Sequence, residues 1–261
     1  MIGAVIGDVA GSSYEYKCPK TKDIELLSPG SRYTDDTVMT IATAYAIMNK
    51  KDYAESFRHF GRQHPSAGYG AMFNYWLFSD NEPAYNSFGN GSAMRVSPVG
   101  YAAQSEEEAF KEAALNAGVS HNHEEGLKGA QAVALCVYMA RHGASKDEIR
   151  RRISSAFQYD LSRTCDGIRV NYSFDETCQK TVPEAITAFL DSTDFEDAIR
   201  NAISLGGDAD TLACITGSVA EAYYKKIPRD LARKSLCLLP KDFLFIIKDF
   251  YQRYQIKNTY E

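Results

Sequence analysis

The chain has 261 residues, with 29 Lys+Arg against 34 Asp+Glu and hence a formal net charge of −5, 44% apolar content and 12% aromatic content. A chain of this length buries roughly 70–75% of its unfolded surface, so a large core forms without staples, and the aromatic load excludes a disordered chain. The mild acidity leaves no net positive field to gather phosphates, which argues against nucleic acid as a partner.

In chain order, apolar residues recur mostly at helical spacing. From Asp35, the set Val38, Ile41, Ala42, Tyr45, Ala46 and Met48 follows the i, i+3, i+4, i+7 rule, and Asn49, Lys50 and Lys51 close the run. Ser105 starts a second helix, with Glu106, Glu107 and Glu108 in its first turn, where carboxylates suit the helix dipole. Residues 126–141 are nearly all apolar or small, the pattern of a central, buried helix. Further helical patterns cover 183–190, 195–203, 212–224 and 241–254. Period-2 alternation is confined to Val170, Tyr172 and Phe174, which predicts a short ribbon or extended loop over 169–174. With no repeat, linker or block of five like charges, the expectation is an all-α fold, one domain over 1–261.

The six cysteines, at 18, 136, 165, 178, 214 and 237, show neither a C-x-x-C pair nor zinc-type spacing, and read as reduced, mostly buried thiols. The first ten residues lack a positive n-region, and the longest apolar run stops well short of the ~20 residues that cross a bilayer. These absences predict a cytoplasmic protein with no membrane partner.

Two segments gather carboxylates and hydroxyls at helix starts: Tyr33-Thr34-Asp35-Asp36-Thr37, and Gly206-Gly207-Asp208-Ala209-Asp210-Thr211. One oxygen suffices for an N-cap, whereas these segments together bring four carboxylates, which repel one another without a cation. Hard divalent ions such as Mg²⁺ and Mn²⁺ take this donor set. Asp208-x-Asp210 in an extended turn would project both carboxylates to one side, while the adjacent Asp35 and Asp36 would reach toward two ions of a binuclear site. Gly206-Gly207 would let the backbone approach metal or ligand closely. A third segment, Phe88-Gly89-Asn90-Gly91-Ser92-Ala93-Met94-Arg95, leads a glycine-rich loop into a helical pattern, a form that suits phosphate.

These motifs in this order, with Gly7-Asp8, Tyr14-Glu15, Gly68-Tyr69-Gly70 and Ser120-His121, resemble the ADP-ribosylglycohydrolases from Gly3 to about Tyr224. The resemblance implies an all-α, compact multi-helix orthogonal bundle with two divalent cations, Mg²⁺ or Mn²⁺, in a cleft. It implies Thr34, Asp35, Asp36, Asp208, Asp210 and Thr211 as metal ligands, and Glu15, Asp35 and Asp36 as catalytic residues, Glu15 on a mobile flap. It implies Gly68, Tyr69, Gly70, Phe88, Gly89, Asn90, Gly91, Ser92, Met94 and His121 around ADP-ribose carried by a protein or a small-molecule conjugate. Two bound ions would bring the formal charge from −5 to about −1, so an acidic chain can accept a pyrophosphate.

Plainer readings stand beside these. His121 and His123, at i, i+2, point to different sides of a helix and do not form a metal pair. Asp8 is a partner of the metal ligands or an ordinary helix residue. Phe73, Tyr75, Trp76 and Phe78 belong to the core unless one stacks on adenine. Arg150-Arg151-Arg152 reads as a solvated helix face, and 175–183 carries no chemistry that can be derived. A non-catalytic ADP-ribose-binding scaffold and a two-metal nucleotide phosphohydrolase are the alternatives to a glycosidic hydrolase.

Overall fold

Oxygen-bearing side chains set many of the helix starts. In the computed structural model, which describes residues 1–257, Thr34, Asp52, Ser105, Thr164 and Asp194 each accept a backbone N–H of the helix that follows, and Ser145 with Glu148 forms a reciprocal capping box. The helices among the described residues are α1 (Ile2–Gly11), α2 (Asp35–Asn49), α3 (Tyr53–Gln63), α4 (Ala71–Phe78), α5 (Gly91–Met94), α6 (Ser97–Ala102), α7 (Glu106–Gly118), α8 (Glu124–Arg141), α9 (Lys146–Phe157), α10 (Cys165–Asn171), α11 (Cys178–Leu190), α12 (Phe195–Ser204), α13 (Ala209–Tyr224), α14 (Arg229–Leu236) and α15 (Lys241–Arg253). No strand occurs among them; one isolated antiparallel bridge joins Gly89 to Thr177. Residues 258–261 of the expected domain lie outside the described residues.

The core is organised on α13, which is buried from Ala209 to Ala222 and packs against α1, α8, α11 and α12. All ten residues of α1 are buried as well. A Cβ placed on Gly3, Gly7 or Gly11 would fall within 2.3 Å of the carbonyl oxygen of Gly217, Ala213 or Ala209 respectively. As one register rises the other falls, so the two helices run antiparallel with their backbones in contact, an approach that only glycine permits. The end of α1 therefore lies beside the start of α13, and α2 begins next to both.

Several expectations need correction. Residues 169–171 are the last turn of α10, which Thr164 caps and an Arg169–Asp166 ion pair supports, so no ribbon forms; only 172–174 continue outside the helix. Helix α11 begins at Cys178, five residues before Pro183, and α13 begins at Ala209 rather than 212. Tyr75 and Phe78 are 60% and 51% exposed and leave the core to Phe73 and Trp76. The Arg151 and Arg152 side chains are exposed, with Arg152 paired to Glu106. Cys136, Cys165, Cys178 and Cys214 are buried free thiols, whereas Cys237 is exposed. No helix among the described residues is long and apolar enough to cross a membrane.

Candidate functional site

The positive ends of α2 and α13 converge on the floor of one cleft of about 680 Å³, and both carry their carboxylates in or just before the first turn, where the helix dipole favours them. Thr34 caps α2; its hydroxyl donates to Asp8 Oδ1 at 2.7 Å. Asp8 also accepts the Thr34 and Thr37 N–H groups at 2.9 and 3.1 Å, and the Thr37 hydroxyl. The position that read as either partner or bystander is thus the fixed point to which the start of α2 is tied. Burial pushes Asp8 up to about 6 in spite of these bonds.

Asp36 Oδ2 accepts the Thr211 hydroxyl at 3.2 Å, across the cleft floor, while its Oδ1 is buried with no hydrogen-bond partner. Burial, with Asp8, Asp35 and Asp208 nearby, drives Asp36 far above the usual carboxylate range. Asp210 is raised in the same way by burial and by Asp208 and Asp36, and Asp35 reaches about 8 through burial and Asp8. Asp208 is the N-cap residue of α13 and Asp210 lies within the helix, so the two do not share the extended turn that the spacing suggests. They meet nevertheless: single oxygens of Asp8, Asp36 and Asp210 lie within 4.8 Å of one another, as do those of Glu15, Asp208 and Asp210. Buried, mutually repelling carboxylates and an oxygen without a donor are the environment a hard cation relieves, so the donor set fits divalent metal. Asp35 stands apart from both groupings, its Oδ1 turned toward Gly68.

The remaining expected residues are placed unevenly. Glu15, Gly68, Tyr69, Gly70, Phe88, Gly89, Asn90, Gly91, Met94 and His121 all line the cleft. Asn90 donates its amide nitrogen to Asp208 Oδ2 at 2.7 Å and to Thr181 at 3.2 Å, so this half of its side chain is engaged in aiming the carboxylate. Ser92 is fully buried and donates to the Gly126 carbonyl at 2.8 Å, so its hydroxyl does not reach the cleft. His123 caps α8, its Nδ1 accepting from the Glu125 N–H. Gly206 and Gly207 do not serve close approach to an ion: Cβ atoms there would meet Lys20 at 2.9 Å and Tyr172 at 2.3 Å, so the pair makes room for protein.

Glu15 sits on the segment between α1 and α2. Burial and the charges of Asp208 and Glu176 raise its carboxyl, and Arg32 and a hydrogen bond from Tyr16 oppose the shift. Tyr16 stacks on Phe174 with ring centroids 6.0 Å apart. Tyr16, Arg32, Tyr85, Glu176 and Thr177 line the cleft and carry no sequence signal. The last two arrive because the 175–178 stretch pairs with the glycine loop: Asn90 N–H donates to the Glu176 carbonyl at 2.7 Å, and Cys178 N–H to that of Phe88 at 2.9 Å. A second hollow of similar size, about 730 Å³, bordered by Asp194, Asp197, Arg200 and Tyr224, gathers no comparable set of ligating groups among the described residues; chemistry, not volume, selects the site.

Known proteins resemble this chain along most of its length. ADP-ribosylhydrolase ARH3 of Homo sapiens is 28% identical over 86% of this chain and 84% of its own length. ADP-ribosylarginine hydrolase Tri1 of Pseudomonas putida (strain GB-1) is 26% identical, over 86% and 69%. A solved structure described as an ADP-ribosylglycohydrolase-related protein complex shares the fold, with a TM-score of 0.69 at 23% identity over 98% of this chain and 93% of that one. The family model for ADP-ribosylglycohydrolase matches residues 1–257, and the chain belongs to the ADP-ribosylglycohydrolase family.

Proposed function

We propose that the protein is a divalent-metal-dependent hydrolase that cleaves the glycosidic bond between ADP-ribose and an acceptor, a protein side chain or a related conjugate, and so reverses ADP-ribosylation. One observation carries this reading: two carboxylate–hydroxyl clusters, 175 residues apart at Asp36 and Thr211, meet on one cleft floor and leave a buried oxygen without a donor. The names of the relatives, hydrolases of ADP-ribosyl groups, support the substrate class.

In this reading Thr34, Asp35 and Asp36 from one side and Asp208, Asp210 and Thr211 from the other hold two ions, Mg²⁺ or Mn²⁺. When bound, such ions polarise ribose hydroxyls and a water. Asp8 keeps the Thr34 hydroxyl in place, and Asn90 aims Asp208. Glu15, steadied by Tyr16, faces the same cluster. Its carboxylic acid delivers a proton to a leaving oxygen, or its carboxylate takes one from the attacking water; the linkage decides which. The loops at 68–70 and 88–91 and the Nε2 edge of His121 surround the pyrophosphate and ribose. We also propose that residues 1–261 act as one domain, without nucleic acid, in a reducing compartment such as the cytoplasm, where unpaired thiols persist.

The test is release of free ADP-ribose from a panel of serine-, arginine- and small-molecule-linked conjugates with Mg²⁺ or Mn²⁺. Turnover of at least one conjugate is expected, and its loss on replacing Asp35 and Asp210 together by Asn. Undiminished turnover in that double variant overturns the metal-dependent mechanism. Release of inorganic phosphate instead of ADP-ribose identifies a phosphohydrolase, and binding without turnover a scaffold.

A further inference from the structure

Behind the glycine loop lies a buried polar chain that the proposed reaction does not use. Arg95 is fully buried, and among the described residues it has no carboxylate partner. Its guanidinium lies over Phe57 at 4.3 Å and Phe73 at 5.6 Å from the ring centroids. Arg95 Nε donates to Asn116 Oδ1 at 3.2 Å, and Nη2 to the Asn116 carbonyl at 2.9 Å and to Ser120 Oγ at 3.0 Å. A guanidinium only donates, so Ser120 receives a hydrogen bond and has its own proton to place. Among the described residues the other hydrogen-bond partner of the Ser120 hydroxyl is His121 Nδ1, at 2.8 Å.

We propose that Arg95 and Ser120 are positioning residues that hold His121 as the neutral imidazole with its proton on Nε2, a fixed donor aimed at an anionic oxygen of the bound ligand. The alternatives fail by counting protons. A proton on Nδ1 would leave the buried Ser120 proton without an acceptor. An imidazolium would place a second cation beside Arg95, the charged group that faces the ring; burial and that neighbour hold His121 well below its ordinary range. Phe73 and Tyr85 flank the ring with centroids 6.0 and 5.9 Å away and supply no charge.

The Nε2 edge is left open. It lines the cleft and has no protein acceptor among the described residues, and a Cβ on Gly91 would come within 3.0 Å of it. The glycine loop thus leaves the donor accessible, and the uncompensated Arg95 behind it gives this wall a positive field opposite the acidic floor. A phosphate oxygen is the acceptor that suits both. The identity of that ligand rests on the proposed function, whereas the tautomer does not.

Nitrogen-15 spectra of the histidine-labelled, ligand-free protein read the tautomer directly, with His121→Gln supplying the assignment. A protonated Nε2 and a bare Nδ1, unchanged between about pH 5 and 8, are expected. Ser120→Ala should convert this to a mixture of tautomers and weaken ADP-ribose binding about three- to tenfold. A wild-type His121 protonated on Nδ1, or on both nitrogens, overturns the proposal, and needs no variant that has to fold. An unchanged tautomer in folded Ser120→Ala also overturns it. Failure of ADP-ribose to bind the wild type refutes the substrate reading and leaves the spectroscopic result intact.

Discussion

Asp36 brings to the cleft floor an oxygen with no donor and a charge surrounded by Asp8, Asp35 and Asp208. Asp36→Asn removes that repulsion, so the metal-free protein should melt no lower than wild type in a chelator, while turnover falls by about 100-fold or more. Added Mn²⁺ should raise the melting temperature of the wild type by mass action and leave that of Asp36→Asn nearly unmoved. A large drop in metal-free stability would show that Asp36 is structural. The clusters at 34–36 and 208–211 are legible in the sequence because each is local, a few oxygens at one helix start. The tasks of Asn90 and Ser92 are not, because the partners that occupy them, Asp208 and the Gly126 carbonyl, come from distant helices. Glu176 was silent for the same reason: its place depends on a pairing with the glycine loop.

At the scale of the element, contact between α1 and α13 sets the distance between Asp8 and Asp210. Gly7→Ala puts a Cβ 1.9 Å from the Ala213 carbonyl oxygen, so the helices must part. A loss of about 3 kcal/mol in urea unfolding is expected, with weaker metal binding in calorimetry. Gly70→Ala is the matched control: nothing lies within 4 Å of its Cβ, so stability should hold, and any change in ADP-ribose affinity reports contact in the cleft. Ser145→Ala breaks the capping box of α9 and should cost about 1 kcal/mol without altering turnover. Amphipathic patterns revealed α2, α7 and α12, whereas α1, buried all round and spaced by glycine, gave no face to read. In α10 the alternation of Val170, Tyr172 and Phe174 imitated a strand across a helix end.

At the scale of the molecule, the segment that carries Glu15 is strapped to the far side of the site. Lys20 donates to the Tyr172 and Leu205 carbonyls, Lys22 pairs with Asp197, and Arg200 donates to the Lys22 and Ile24 carbonyls at 3.0 and 2.8 Å. Burial works against an ionised Asp197, yet Lys22 and the Thr193 N–H and hydroxyl hold it below the ordinary carboxylate range. A group depressed on folding contributes fully above its unfolded pKa and loses that contribution as pH falls through the folded value. Asp197→Asn should therefore be less stable than wild type at neutral pH, with the gap closing below the ordinary Asp range, and residues 12–34 should exchange amide hydrogens faster. A gap that stays constant with pH would assign the strap to Arg200 and Lys20 instead.

The backbone contact of α1 with α13 also sets a timetable. Gly3 and Glu221 are hydrogen-bonded across 218 residues, so the first helix leaves the ribosome long before the helix that covers it exists. At about 5–20 residues per second that wait is about 10–40 s, during which an apolar, glycine-striped segment needs temporary shelter. Asp8 and Asp210 meet only when the wait ends, so a ribosome-bound fragment that stops before α13 has no complete carboxylate floor. A complete cleft floor in this sense reports that synthesis has passed the start of α13.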